Sequence, residues 1–309
     1  MELAKILLNK ITIMFIMIAI GFICAKIKLI DKETNKKLSD ILLYLVNPLL
    51  IFTSFQMEFN QELFKNQMIA FGLSFLAMSM AIVLSFVFIR QKNNPDFSIE
   101  RFAIIFPNCS FMGIPLLSSL FGNLGVFYLT AYIAVFNIIV WTYGVIMISG
   151  KTSFKDVLKQ LCSPAIIAIV LGIICFVARI ALPDIILEPL NTVGSMNTPL
   201  AMLIAGVALA GSSFKSALTS IKTYYLIALR LLIVPAIFLA CVFWLPVDTE
   251  VLLTVIIAAS CPTATITTMF ALKFDKNTSL SSNIFATTTL LCLFTIPLIV
   301  LLAGYMGVG

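Results

Sequence analysis

Residues 106–117 read FPNCSFMGIPLL, and the two prolines of this apolar stretch, Pro107 and Pro115, decide how the chain is interpreted. A proline removes one backbone donor, and its ring presses against the carbonyl four residues earlier. Pro107 is therefore expected to free the carbonyl of Ala103, and Pro115 that of Phe111. Freed backbone groups are not tolerated against lipid and need partners in protein, water or a ligand. The stretch predicts an interrupted helix whose new ends lie inside the protein.

A second stretch has the same character. Residues 260–268 read SCPTATITT, and Pro262 is expected to free the carbonyl of Ala258. Interrupted helices present helix ends near the middle of the membrane, and N-terminal ends carry partial positive charge and unpaired N–H donors that suit an anion. Two interrupted spans at equivalent places predict one central site.

The rest of the chain has the composition of a membrane protein. Of its 309 residues, 61% are apolar and 11% charged, with a mean hydropathy of +1.10. Soluble domains are nearer half apolar and a quarter charged. We therefore predict an all-α integral membrane protein with one membrane domain and about ten spanning helices. The predicted spans are residues 6–25, 38–55, 68–90, 101–121, 125–149, 163–182, 197–213, 224–244, 251–272 and 280–305.

Charge and proline positions suggest how the spans are arranged. Fifteen of the 20 Lys and Arg residues lie in loops after odd-numbered spans and four on the other side, which predicts that both termini are extracellular. Spans 2 and 7, 4 and 9, and 5 and 10 share proline or asparagine positions at offsets of 146 to 155 residues. Five spans per half predict two inverted five-helix repeats, residues 1–150 and 151–309.

Several kinds of chemistry are disfavoured by what the sequence lacks. The chain has no histidine, and its seven cysteines form no CxxC pair and fall mostly in apolar runs. All 14 Asp and Glu residues lie in or near predicted loops, so a carboxylate relay inside the bilayer has no candidate. We expect no enzyme activity, no metal and no cofactor. Membrane topology accounts for the basic residues without a nucleic-acid partner.

Arg230 is the charged residue that lies deepest inside a predicted span. A functional arginine there would attract an anionic substrate or pin a helix end. Alternatively, its long side chain reaches the nearby cytoplasmic edge of the membrane. The sequence leaves both interpretations open.

Residues 106–117 closely resemble the span 4 motif of the auxin efflux carrier family, which includes the plant PIN-FORMED proteins and many bacterial carriers. Residues 47–55, NPLLIFTSF, resemble its span 2 motif, and residues 270–274, FALKF, the end of its span 9. The ten-span layout covers the whole chain, but the long cytoplasmic loop of the plant carriers is absent, as in a compact bacterial-type member. Plant-type regulation through that loop is therefore not inferred.

The resemblance implies two inverted repeats, related to the fold of the bile acid–sodium symporters, in which broken helices 4 and 9 cross at the substrate site. It implies a scaffold, often dimeric, a transport domain that shifts like an elevator, and organic anion substrates such as auxin or malate. By position, Asn108 would bind the carboxylate. The candidate substrate-binding residues, drawn from the motifs and the repeat, are Asn47, Pro48, Pro107, Asn108, Gly113, Pro115, Asn137, Asn197, Pro199, Arg230, Pro262, Thr263 and Asn283.

Within that set, Pro48 and Pro199 are expected to break spans 2 and 7, and Asn137 and Asn283 to add polar contacts. The expected function is a cell-membrane carrier of a small organic anion that works by alternating access, with the lipid bilayer as its surroundings. Coupling to protons or sodium and assembly into a homodimer stay open. Two alternatives also remain: a sodium-coupled symporter of the bile acid type, and a receptor or sensor that binds a ligand without moving it.

Overall fold

The computed structural model describes residues 2–90, 94–149, 162–211 and 221–308, with side chains from residue 9 onward. Every regular element in these ranges is helical. The helices are α1 (Glu2–Lys26), α2 (Lys32–Ile41), α3 (Asn47–Ser54), α4 (Gln61–Phe88), α5 (Phe97–Ile105), α6 (Ile114–Ile139), α7 (Val145–Ser149), α8 (Pro164–Val177), α9 (Asp184–Ser195), α10 (Asn197–Ala210), α11 (Ile221–Ala228), α12 (Val234–Val242), α13 (Thr249–Ser260), α14 (Ile266–Lys273) and α15 (Thr278–Tyr305). Most of the predicted loop joining spans 5 and 6, and the end of predicted span 7, lie outside the described residues.

Seven helical stretches of the described chain are long and apolar enough to cross a membrane, and α8 and α13 are shorter apolar helices. One of the seven, Cys109–Ser149, has 41 residues. At about 1.5 Å per residue it is roughly twice as long as the hydrocarbon core is thick. The chain bends within it at Gly122, whose φ of 59° and ψ of −140° suit glycine alone. The predicted all-helical fold with several apolar spans is therefore confirmed.

In the described ranges, four π-helical turns run directly into the helix that follows each of them: π1 (Leu42–Val46), π2 (Cys109–Gly113), π3 (Val140–Gly144) and π4 (Leu229–Ile233). Three of them end two residues before a proline, namely Pro48, Pro115 and Pro235. A π turn is wider than an α turn, which gives room for a ring that would otherwise press on the preceding turn.

The prediction that Pro48 breaks span 2 is wrong, because the helix passes through π1 without a gap. Pro199 lies in the first turn of α10, after α9 has ended at Ser195. In a first turn the N–H that proline lacks has no helical partner to lose.

The helices pack as two groups. The first helix group is α1–α3 with α8–α10, and the second helix group is α4–α7 with α11–α15. Each group combines helices from both halves of the chain. The main links between the groups join α1 and α3 to helices α6 and α15.

The first helix group is held by a close approach of α1 and α10. A Cβ added to Gly206 would lie 2.1 Å from the carbonyl oxygen of Ile18, and one added to Gly21 would lie 2.3 Å from that of Leu203. These backbones approach so closely that only glycine fits, as is common between membrane helices.

An ion pair between a buried glutamate and a partly exposed lysine ties the second helix group together at its predicted cytoplasmic end. The Glu100 side chain is 2% exposed and pairs with Lys222 at the start of α11. Asn94 donates to the other Glu100 carboxylate oxygen at 2.9 Å and accepts from Lys222 at 3.2 Å. The predicted placement of all acidic residues in or near loops did not reveal that this one is buried.

We expect Glu100→Gln to lower the free energy of unfolding by about 2 kcal/mol, because it removes the charge of a buried acceptor that has two hydrogen-bonding partners. Glu33→Gln is the matched control, since its pair with Lys37 is exposed on both sides and contributes at most about 0.5 kcal/mol. Thermal unfolding of both variants in the same detergent measures the difference. Equal stability of the two variants would show that the Glu100 pair is not structural.

Candidate functional site

The two proline-containing stretches meet inside the second helix group. Pro107 and Thr263 form an isolated antiparallel bridge. The Asn108 N–H donates to the Pro262 carbonyl at 2.7 Å, and the Ala264 N–H donates to the Phe106 carbonyl at 2.9 Å. The backbone groups of the two stretches therefore hydrogen bond to each other, although Pro107 and Pro262 are 155 residues apart in the chain.

Four helix ends surround this bridge. Helices α5 and α13 end just before it, at Ile105 and Ser260, while π2 begins at Cys109 and α14 at Ile266. The bridge thus has two helix C-termini with partial negative charge and two N-termini with partial positive charge. The groups that already contact the two C-terminal ends and the two N-terminal ends determine which ligands the site can bind.

Arg230 occupies the two C-terminal ends. Its side chain is 1% exposed and lies in π4. Nε donates to the Cys261 carbonyl at 3.0 Å, Nη1 to that of Ile104 at 2.8 Å, and Nη2 to those of Ala259 and Cys261 at 2.8 and 2.7 Å. Of the two interpretations of this residue, the structure favours pinning of helix ends, because the buried side chain does not extend to the protein surface.

Charge balance explains how the arginine is tolerated. A buried charge without compensation is very costly, and no carboxylate in the described ranges pairs with Arg230. Each helix C-terminus carries about −0.5 of an elementary charge, so two of them offset about one positive charge. Four of the five guanidinium N–H groups are used by carbonyls, which leaves one for any other partner.

Two of the three carbonyls that the prolines were expected to free, those of Ala103 and Ala258, have partners within the protein. The Thr263 hydroxyl donates to the Ala103 carbonyl at 3.0 Å, and the Cys261 N–H donates to that of Ala258 at 3.3 Å. The Thr263 N–H in turn donates to the Thr288 hydroxyl at 3.2 Å. These carbonyls are therefore structural contacts, and are not left open for a ligand.

Thr263→Val is expected to lower the free energy of unfolding by about 1–3 kcal/mol, because it leaves the buried Ala103 carbonyl without this partner. Thr265→Val is the matched control, since Thr265 is half-buried and its side chain makes no capping hydrogen bond to α14. Chemical denaturation of both variants measures the difference. A Thr263 variant as stable as the Thr265 control would contradict the assigned bond.

The two N-terminal ends are open. The N–H groups of Cys109, Ser110 and Phe111 in π2, and of Thr265 and Ile266 at α14, donate to no backbone carbonyl within the described ranges. The Asn108 side chain lies beside the first set, is 6% exposed, and makes no hydrogen bond to the described residues. Unpaired donors at two helix N-termini, next to an unpaired amide, form an arrangement that suits a carboxylate.

The remaining candidates are placed differently. Asn47 and Asn197 are 2% and 1% exposed and hydrogen bond to each other, which joins α3 to α10 in the first helix group. Asn137 donates to the Ile133 carbonyl of its own helix at 2.8 Å. Neither arrangement presents an amide at the bridge.

Three further candidates, Gly113, Pro115 and Asn283, lie in the second helix group. Gly113 closes π2, with Cys261 and Leu129 at ordinary contact distance from its position. Pro115 is buried in the first turn of α6, and Asn283 is buried in α15. The structure therefore brings together Pro107, Asn108, Pro262, Thr263 and Arg230, with Gly113 close to them.

A family model described as "Membrane transport protein" matches residues 6–300. The chain belongs to this family. Members of the auxin efflux carrier-type membrane transport family are transporters, and together with the apolar helices this makes the chain a multi-pass membrane protein. A search of curated proteins finds no match. The resemblance of residues 106–117 to the auxin efflux carriers is thus confirmed at the level of the family.

Proposed function

We propose that this protein is a secondary active carrier of small organic anions, located in the cell membrane with both termini outside. The observation that carries the proposal is the pair of open helix N-termini beside Asn108, because they supply unpaired donors and partial positive charge at one buried place. Membership of a transport family supports a carrier, and no enzyme is proposed.

The proposed architecture has ten spans in two inverted repeats, residues 1–150 and 151–309, with spans 4 and 9 interrupted at the Pro107–Thr263 bridge. The separate packing of the two helix groups supports this, because each contains matching spans from both halves. We propose the first helix group as the scaffold and the second as the part that moves like an elevator. A homodimer through the scaffold stays a prediction.

Binding is proposed to work through charge compensation. Two helix N-termini contribute about one positive charge together, which is enough for one carboxylate group. The carboxylate oxygens would accept from the N–H groups that begin π2 and α14, and the Asn108 amide would donate to the same group. Because these donors are already fixed by helices, little ordering is needed when an anion binds.

Ligand-dependent thermal stability tests this proposal. Malate, succinate, malonate and indole-3-acetate are added to the purified protein, with succinamide, malonamide and indole-3-acetamide as neutral controls. We expect at least one acid to stabilise the protein, by about 2.7 kcal/mol at a hundred times its Kd, and its amide to have no effect. Equal effects of acid and amide, or no effect of any acid, would count against the proposed site.

A further inference from the structure

We propose that Arg230 is a built-in cation that takes the place of a coupling sodium ion at the bridge, so that transport through this site does not use sodium. The inference rests on the proposed anion carrier for its meaning in transport. The structural claim that the guanidinium occupies a cation site depends only on the hydrogen bonds of Arg230.

The guanidinium lies where transporters of this general kind bind sodium. In carriers with interrupted helices, helix C-termini and unwound carbonyls coordinate the coupling cation. Here the carbonyls of Ile104, Ala259 and Cys261, which come from both interrupted stretches, lie 2.7–3.0 Å from the guanidinium nitrogens. The oxygens that would form a sodium site are therefore already used.

The arginine is also fixed in place. π4 continues into α12, where Pro235 is buried, and the turn contacts both α5 and α13. A cation joined covalently to the second helix group would travel with it and would not be released on either side of the membrane. The two helix C-termini then stay neutralised throughout the transport cycle without a mobile ion.

The selectivity of the site follows from the same arrangement. The negative helix ends are closed by a resident positive charge, and only the positive ends remain open. A second cation would be repelled by Arg230, while an anion at the open ends would be attracted. The site is therefore selective for anions, even though the helix ends around the bridge carry partial charges of both signs.

Thermal stability in different salts tests the proposal without any substrate. The wild-type protein is compared in sodium chloride and choline chloride, and its melting temperature is expected to be the same in both. Arg230→Ala is expected to melt roughly 10 °C lower, because it leaves buried carbonyls and two helix ends uncompensated. About 50 mM guanidinium, far below denaturing concentrations, is expected to restore at least half of the loss, while urea, its neutral isostere, restores none.

Arg101→Ala is the matched control. Arg101 is also buried and donates to a helix end, but to the single Ile89 carbonyl. Its removal leaves no group of carbonyls around a cation, so guanidinium and sodium are expected to have no specific effect on this variant. Stabilisation of Arg230→Ala by sodium, absent in the wild type, would support the proposal as strongly as rescue by guanidinium.

Three results would overturn the proposal: sodium stabilisation of the wild type, a folded Arg230→Ala protein that responds to neither cation, or equal rescue by urea. If Arg230→Ala does not fold, Arg230→Lys replaces it, since lysine keeps the charge but loses the planar fork. That variant is expected to be less stable and indifferent to sodium, and a sodium response would again overturn the proposal. Failure to find a transported anion would count against the proposed function and leave these results unchanged.

Discussion

Replacing Asn108 by alanine is expected to reduce carboxylate uptake by up to about 100-fold, because one hydrogen bond to a charged group contributes about 1.5–3 kcal/mol. The same change should barely affect folding, since the Asn108 amide makes no hydrogen bond to the described residues. Removing it therefore leaves no protein group without its partner. This separation of uptake from stability is what distinguishes a binding residue from a structural one.

Asn123→Ala is the control for this prediction. It makes the same chemical change at an exposed position beside the bend at Gly122. Uptake by both variants is measured in proteoliposomes containing equal amounts of protein, with thermal unfolding measured in parallel. An Asn108 variant that takes up carboxylate as well as the Asn123 variant would show that the site is assigned to the wrong residues.

Replacing Gly206 by alanine is expected to lower the free energy of unfolding by about 3 kcal/mol or to prevent folding. The added Cβ would lie 2.1 Å from the Ile18 carbonyl oxygen and 2.7 Å from the Phe22 nitrogen, and both are backbone atoms. Neither can rotate away as a flexible side chain would. Helices α1 and α10 would have to separate, which would disrupt the packing of the first helix group.

Gly72→Ala provides the matched comparison. Gly72 lies within α4, and nothing is found within 4 Å of its added Cβ among the described residues. Alanine should stabilise this helix by about 0.5–1 kcal/mol, so the two glycine variants are expected to differ in sign. Thermal unfolding in detergent measures both. A Gly206 variant at least as stable as wild type would contradict the close packing of α1 and α10.

The sequence predicted the position of the bridge better than its contacts. The prolines at positions 107 and 262 each mark a place where the backbone leaves the helix, because proline effects are local. The partners of Arg230 lie 29 to 126 residues away in the chain, so neither periodicity nor hydropathy could identify them. For the same reason the hydrogen bond between Thr263 and Ala103 was not predicted.

Other differences arise from a local adjustment of one helix and from contacts between helices that are distant in the chain. Pro48 was expected to break its helix, yet a π turn precedes the proline and the helix continues, and hydropathy and proline positions do not predict such turns. Asn47 and Asn197 were expected to line the substrate site, but they hydrogen bond to each other instead of presenting amides to a ligand. The position of Glu100 near a predicted loop did not indicate that its side chain is buried and paired with Lys222 of a distant helix.

The central claim is that the protein moves an anion across the membrane through the site beside Asn108. Uptake of labelled malate, succinate, malonate and indole-3-acetate into sealed proteoliposomes tests it most directly, with imposed proton, sodium or potential gradients and with Asn108→Ala alongside. We predict saturable uptake of at least one carboxylate, strongly reduced in the variant and equal with or without sodium. Well-folded protein that binds a carboxylate but gives no flux under any gradient would contradict the carrier and favour a receptor.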